Sequence, residues 1–164
     1  MKLRFLPVIC LAAFSLLSGC SKNDDDTSDN PTPTETTSFK AVIDGSNWEA
    51  ANHNTAVSGG LFGLYGNDNA GRQLIISTDA ITKTGNYTSG SLSYVLPHSD
   101  GSTSRWTGFL SDSTVNKLTI TSYDPTTKKI SGTFQFKGGR VFGATTEPDS
   151  VNVMNGTFTG IRLP

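Results

Sequence analysis

The run from Lys117 to Phe136 reads Lys-Leu-Thr-Ile-Thr-Ser-Tyr-Asp-Pro-Thr-Thr-Lys-Lys-Ile-Ser-Gly-Thr-Phe-Gln-Phe. Leu118 and Ile120 alternate with threonines, and Ile130, Phe134 and Phe136 alternate with polar residues on the far side of Asp124-Pro125. A period of two sends successive side chains to opposite faces, so the run predicts a β-hairpin with one buried face. The same texture extends from Phe39 to the C-terminus: short β-branched and aromatic stretches separated by Gly, Asn, Asp and Pro, with no helical apolar period lasting three turns. Strands are expected at 39–43, 48–52, 55–57, 61–66, 72–78, 85–88, 91–96, 105–110, 117–123, 129–137, 141–145 and 149–162. Asp44-Gly45 and Asp100-Gly101 supply reversals that accept a positive φ. In the last strand Val151 and Val153 share one parity and Phe158 has the other, which predicts a bulge at Gly156. The consequence is an all-β fold, an antiparallel β-sandwich or a flattened β-barrel of about 8–12 strands.

The first residues obey other rules. Met1 to Arg4 is basic, Phe5 to Leu16 is apolar but shorter than the ~20 residues that cross a bilayer, and Leu17-Ser18-Gly19-Cys20 closes the segment with small side chains. These four residues resemble a lipobox, which implies a signal peptide over 1–19 and acylation of Cys20. Two or three acyl chains, at ~0.8 kcal/mol per buried CH₂, would hold the chain firmly on a membrane. Residues 20–37, with Asp24, Asp25, Asp26, Asp29 and Glu35 among Thr and Pro, have nothing to bury and are expected to form a disordered tether ahead of the domain at 38–164. The acidic run after Cys20 resembles the export signal of surface-exposed Bacteroidota lipoproteins. That resemblance implies an outer-membrane anchor, with the cell surface favoured over the periplasm.

Composition narrows the function classes. With Lys2, Arg4, Lys22 and the five tether acids set aside, ten basic and nine acidic side chains remain, scattered singly. No basic stripe exists to track a phosphate backbone, so nucleic acid is not an expected partner. Both cysteines, Cys10 and Cys20, precede the domain, which therefore holds no disulfide and no thiolate metal site. Neither a Gly-x-Ser-x-Gly motif nor a nucleophile–base pattern is present, and His53 and His98 sit among turn-forming residues, where they read as solvated loop positions. The pairs Asp44 with Glu49 and Glu147 with Asp149 would suit glycoside hydrolysis only if the fold set their members across a sugar. Asn67-Asp68-Asn69-Ala70-Gly71 has the oxygens of a calcium loop but lacks its distal Glu, and a hairpin turn accounts for it equally well. No enzyme, cofactor or metal is expected.

Trp48, Trp106, Tyr65, Tyr94 and Tyr123 are the aromatic residues from which a sugar-stacking surface could be built. Trp48 reads as core. Trp106, between Arg105 and Thr107, is the best candidate for exposure, and with Arg105 it makes the expected binding pair. Asp112-Ser113-Thr114 and Asp149-Ser150-Val151 resemble the acceptor pattern of Bacteroides-type O-glycosylation, which marks Ser113, in a loop, as a candidate glycosylation site.

Phe39-Lys-Ala-Val-Ile-Asp-Gly-Ser-Asn-Trp-Glu-Ala, Ile130-Ser-Gly-Thr-Phe-Gln-Phe and Val151-Asn-Val-Met-Asn-Gly-Thr-Phe-Thr-Gly-Ile together resemble motifs of small uncharacterised Bacteroidota cell-envelope lipoproteins. The resemblance implies a lipidated envelope β-protein and supplies no activity. The expected function is a monomeric, non-enzymatic binding module, anchored through Cys20, for a glycan, a small ligand or an envelope partner protein. The competing expectation is an accessory subunit of an outer-membrane complex with no ligand of its own, docking through an exposed strand edge.

Overall fold

A computed structural model describes residues 36–164. The expected signal peptide, Cys20 and the expected tether as far as residue 35 lie outside the described residues. From Ser38 onward the chain is all-β: β1 (Ser38–Ile43), β2 (Ser46–Glu49), β3 (Asn52–Ser58), β4 (Leu61–Asn67), β5 (Gln73–Asp79), β6 (Gly85–Tyr87), β7 (Ser91–Pro97), β8 (Thr103–Phe109), β9 (Lys117–Asp124), β10 (Lys129–Phe142) and β11 (Ser150–Arg162). All pairings are antiparallel, in the order β2-β1-β11-β10-β8-β7-β5-β4-β3. The sheet curls into a half-barrel around one core, so the choice between sandwich and barrel resolves towards the barrel. Thr55 of β3, at one end of the path, donates through Oγ1 to the carbonyl of Arg162 in β11 at 2.8 Å, which ties the curl across its seam.

The long strand β10 makes the sheet fork. Along its other edge it pairs with β11 over most of its length, while its near edge pairs first with β9, from Lys129 to Gln135, and then with β8, from Gly139 to Phe142. β9 in turn carries the short β6. Where one neighbour gives way to the next, the Lys137 N–H lacks a strand carbonyl. The buried Asn116 side chain fills the place: its Oδ1 accepts from Lys137 N at 3.0 Å and its Nδ2 donates to the Phe109 carbonyl at 2.9 Å. A buried amide hydrogen without a partner would cost ~1–3 kcal/mol, and Asn116 removes that cost.

The alternation read from sequence builds the interior. Phe39, Leu64, Ile76, Leu92, Trp106, Leu118, Phe134 and Phe158 face inward and are almost wholly buried. The expected bulge is present in the last strand. Asn155 takes φ 52°, the register shifts there against both β1 and β10, and Gly156 turns inward beneath the Phe134 ring. A Cβ at Gly156 would lie 2.5 Å from that ring, so only glycine lets the strand bend and the ring seat at once. Gly132 does the same beneath Phe158.

Three sequence expectations are corrected. The stretch 48–52 is not one strand: β2 stops at Glu49 and the chain crosses to the other end of the sheet before β3. No separate strand spans 141–145, because β10 continues through Gly138 and Gly139 to Phe142. His53 lies within β3 and not in a loop, while His98 does sit in the turn after β7 but is half-buried, with Nε2 2.8 Å from Ser104 Oγ and Nδ1 4.0 Å from Glu147.

Candidate functional site

Arg105 and Trp106 are neighbours on β8 and therefore point to opposite faces. Trp106 faces in. It is 1% exposed, stacks on Tyr94 at a centroid distance of 5.7 Å and donates through Nε1 to the Pro148 carbonyl at 2.8 Å. The expectation that Trp106 is exposed for binding is thus overturned: the indole closes the core under the loop joining β10 to β11. Trp48 is core, as expected, in edge-to-face contact with Phe39, and Tyr94 is buried as well.

Arg105 faces out, onto a part of the outer surface with unusual chemistry. Strand pairing sets two rows of residues side by side there. In the first, Asn52, Asn67, Gln73, Val95, Arg105 and Phe142 stand opposite one another in turn across β3, β4, β5, β7, β8 and β10. In the second, Asn54, Tyr65, Ile75, Ser93, Thr107 and Gly139 do the same. Six strands at about 4.8 Å spacing make a platform ~24 Å across.

The side chains on it are locked to one another. Gln73 Nε2 donates to Asn67 Oδ1 at 2.9 Å and Asn67 Nδ2 to Asn52 Oδ1 at 3.3 Å, a ladder of amides across three strands. Arg105 Nη2 donates to Ser93 Oγ at 2.9 Å, and that hydroxyl shares a hydrogen bond with Thr107 Oγ1, also at 2.9 Å. The guanidinium lies against the sheet closely enough to leave Ser93 1% exposed on what is nominally the solvent face and to bury its own Nε without a partner. Tyr65 leans along its strand over Gly63, where a Cβ would come within 2.8 Å of the phenol ring. Glycine lets the ring lie low over the sheet. Phe142 and Phe109, 49% and 61% exposed, flank Arg105 and Thr107. Of the five aromatics considered from sequence, Tyr65 is the one the platform uses.

The remaining candidates are spread elsewhere. Ser113 is exposed, within a turn where Thr114 Oγ1 donates to Asp112 Oδ1 at 2.6 Å. The carboxylates weighed as hydrolytic pairs have separate partners: Asp44 accepts from Asn152 N, Glu49 pairs with Lys40, Glu147 sits beside His98 and Asp149 pairs with Arg140. The Asn67–Gly71 segment is a hairpin turn in which Asp68 accepts from Ala70 N, Arg72 N and Arg72 Nε. That carboxylate holds Arg72 above the ordinary arginine range, while burial pushes the Tyr94 phenol up. Among the described residues no three His, Cys, Asp or Glu side chains converge as metal ligands.

No curated protein and no solved structure matches the chain. The family model described as "Domain of unknown function (DUF6252)" matches residues 35–162, from the edge of the described region to the last residue of β11, and the chain belongs to that family.

Proposed function

We propose that the chain is a non-enzymatic, lipid-anchored binding module of the cell envelope, and that its ligand is a saccharide held on the platform formed by β3, β4, β5, β7, β8 and β10. The observation that carries this reading is the platform's chemistry. A sugar presents hydroxyls around an apolar ring face, and the platform offers the complement: amides and hydroxyls already oriented by one another, beside a tyrosine ring lying low on the sheet and two exposed phenylalanines. Groups fixed before binding lose little entropy when the ligand arrives. Anchoring through Cys20 and an outer-membrane, surface-facing position rest on the Leu17–Cys20 motif and the acidic run after it.

The test is a saccharide array probed with the full chain purified in detergent, alongside Tyr65→Ala and, on the opposite flank, Thr133→Ala. Binding that Tyr65→Ala abolishes and Thr133→Ala leaves intact supports the reading. Saccharide binding insensitive to Tyr65, or none at all, overturns it. The second reading, an accessory subunit docking by a strand edge, draws on Val57 in β3, which has core-facing parity yet is 53% exposed at the end of the sheet path.

A further inference from the structure

Among the described residues, no carboxylate pairs with the one cation of the platform. Three other cations have carboxylate partners: Lys40 with Glu49 at 3.1 Å, Arg72 with Asp68 at 2.6 Å and Arg140 with Asp149 at 2.6 Å. Arg105 has no ion pair. Its hydrogen bond goes to a neutral hydroxyl, and its Nε is buried without a partner. Both rows that surround it consist of amides, hydroxyls, aliphatic and aromatic groups and a glycine, with no carboxylate in either. Bringing a guanidinium partly out of water without a counter-charge is costly, and an anion arriving from outside would offset that cost. Arginine is also the side chain whose planar fork matches an oxyanion edge-on.

Resting on the saccharide reading above, we propose that the ligand is an anionic saccharide whose oxyanion, a carboxylate or a sulfate ester, meets the outward edge of the Arg105 guanidinium while a neighbouring sugar ring lies on Tyr65. Three strand spacings separate β4 from β8, about 14 Å, so the two contacts belong to different sugars of one chain. The specificity is then for charge at one position along an oligosaccharide.

The experiment measures affinity of the full chain in detergent for matched probes: uronic-acid oligosaccharides and their carboxyl-reduced forms, and sulfated galactan oligosaccharides and their desulfated forms. At low salt at least one charged form should bind ten times or more tightly than its neutral match, and which pair shows the difference identifies the oxyanion. That ratio should shrink as salt rises towards physiological ionic strength, where exposed charges are screened over about 8 Å. Arg105→Gln should bring the ratio to within twofold of one; Tyr65→Ala should remove binding of both forms. Arg105→Lys, which keeps the charge without the fork, should retain part of the preference, and thermal melting of each variant verifies the fold. Equal binding of charged and neutral forms, or a preference that survives Arg105→Gln, overturns the anionic ligand and leaves the saccharide platform standing. Failure of every charged and neutral probe to bind overturns both.

Discussion

The outer surface of this one curled sheet has two flanks that obey different rules. On the flank formed by β6, β9, β10, β11, β1 and β2, a single row across the strands reads Asn86, Thr119, Thr133, Thr157, Lys40 and Glu49, mostly exposed, with the lysine and glutamate paired at 3.1 Å. That is what a solvated β-face needs: β-branched hydroxyls that suit the strand and charges that suit water. On the other flank the corresponding rows are half-buried in their own neighbours, rich in amides and aromatics, and contain one cation with no anion. Curvature and backbone are shared, so the difference lies in side-chain choice alone. That departure from the solvated pattern, on one flank and not on its twin, is what the proposed binding surface rests on.

The comparison holds only if both flanks rest on the same core. Trp106 lies beneath the platform and Phe158 beneath the solvated flank, each 1% exposed. Replacing either with alanine should lower the unfolding free energy by about 3–5 kcal/mol, read from denaturant titration. A loss below ~1 kcal/mol at one of them would show that the flanks are not supported alike. Next in size is Asn116→Ala at the fork where the two flanks join. It strands the Lys137 N–H and the Phe109 carbonyl, and a cost of about 1–3 kcal/mol should accompany faster hydrogen exchange at the Lys137 amide. Exchange unchanged at that amide would mean the fork closes without the asparagine.

Smaller effects sharpen the contrast. Tyr65→Ala and Thr133→Ala should each move stability by no more than ~1 kcal/mol, while only Tyr65→Ala alters saccharide affinity. Equal effects on affinity would erase the distinction between flanks. The smallest effect concerns pH. Asp124 accepts from Thr126 N, Thr127 N and Thr127 Oγ1, and Asp100 from Ser102 N and Oγ, and these hydrogen bonds hold both carboxyls below the ordinary aspartate value. With the folded value depressed, their contribution is fully present above the unfolded aspartate pKa of about 3.9 and fades as pH falls through the lower folded value. Asp124→Asn should therefore lose stability relative to the parent at neutral pH and converge with it in strong acid. A gap that stays constant across that range would assign the turn's stability to something other than the carboxylate.

Much of the scaffold was legible because alternation is a direct physical signal. The hairpin of β9 and β10 starts at the expected Lys117 and Lys129, and the parity break between Val153 and Phe158 disclosed the bulge that φ 52° at Asn155 creates. The continuation of β10 was hidden by Gly138-Gly139, which reads as punctuation. In fact a Cβ at 138 would come 3.0 Å from the Trp106 side chain, so Gly138 is where two strands approach closely. Trp106 was misread for an instructive reason: its polar neighbours suggested an exposed stretch, yet in a strand polar neighbours are what an inward residue has. With Trp106 inward, alternation puts Arg105 on the outer face. Tyr65 was one aromatic among five, and its distinguishing mark, Gly63 two positions earlier on the same face, has meaning only once the strand is known. Asn116 gave no signal at all, since a fork in the sheet is a long-range event.

The placement of β1 bears on how the molecule carries load. The N-terminal side of the chain enters at Thr36 and runs directly into β1, which is hydrogen-bonded along one edge to β2 and along the other to β11. A pull on that end runs along β1, and load passed on to β8 crosses the ladders of β11 and β10. Tension along a doubly paired strand must break many hydrogen bonds at once, whereas a strand peeled from an edge gives them up singly. Load along β1 is therefore shared by two ladders, and that strand is held more firmly than one paired along a single edge.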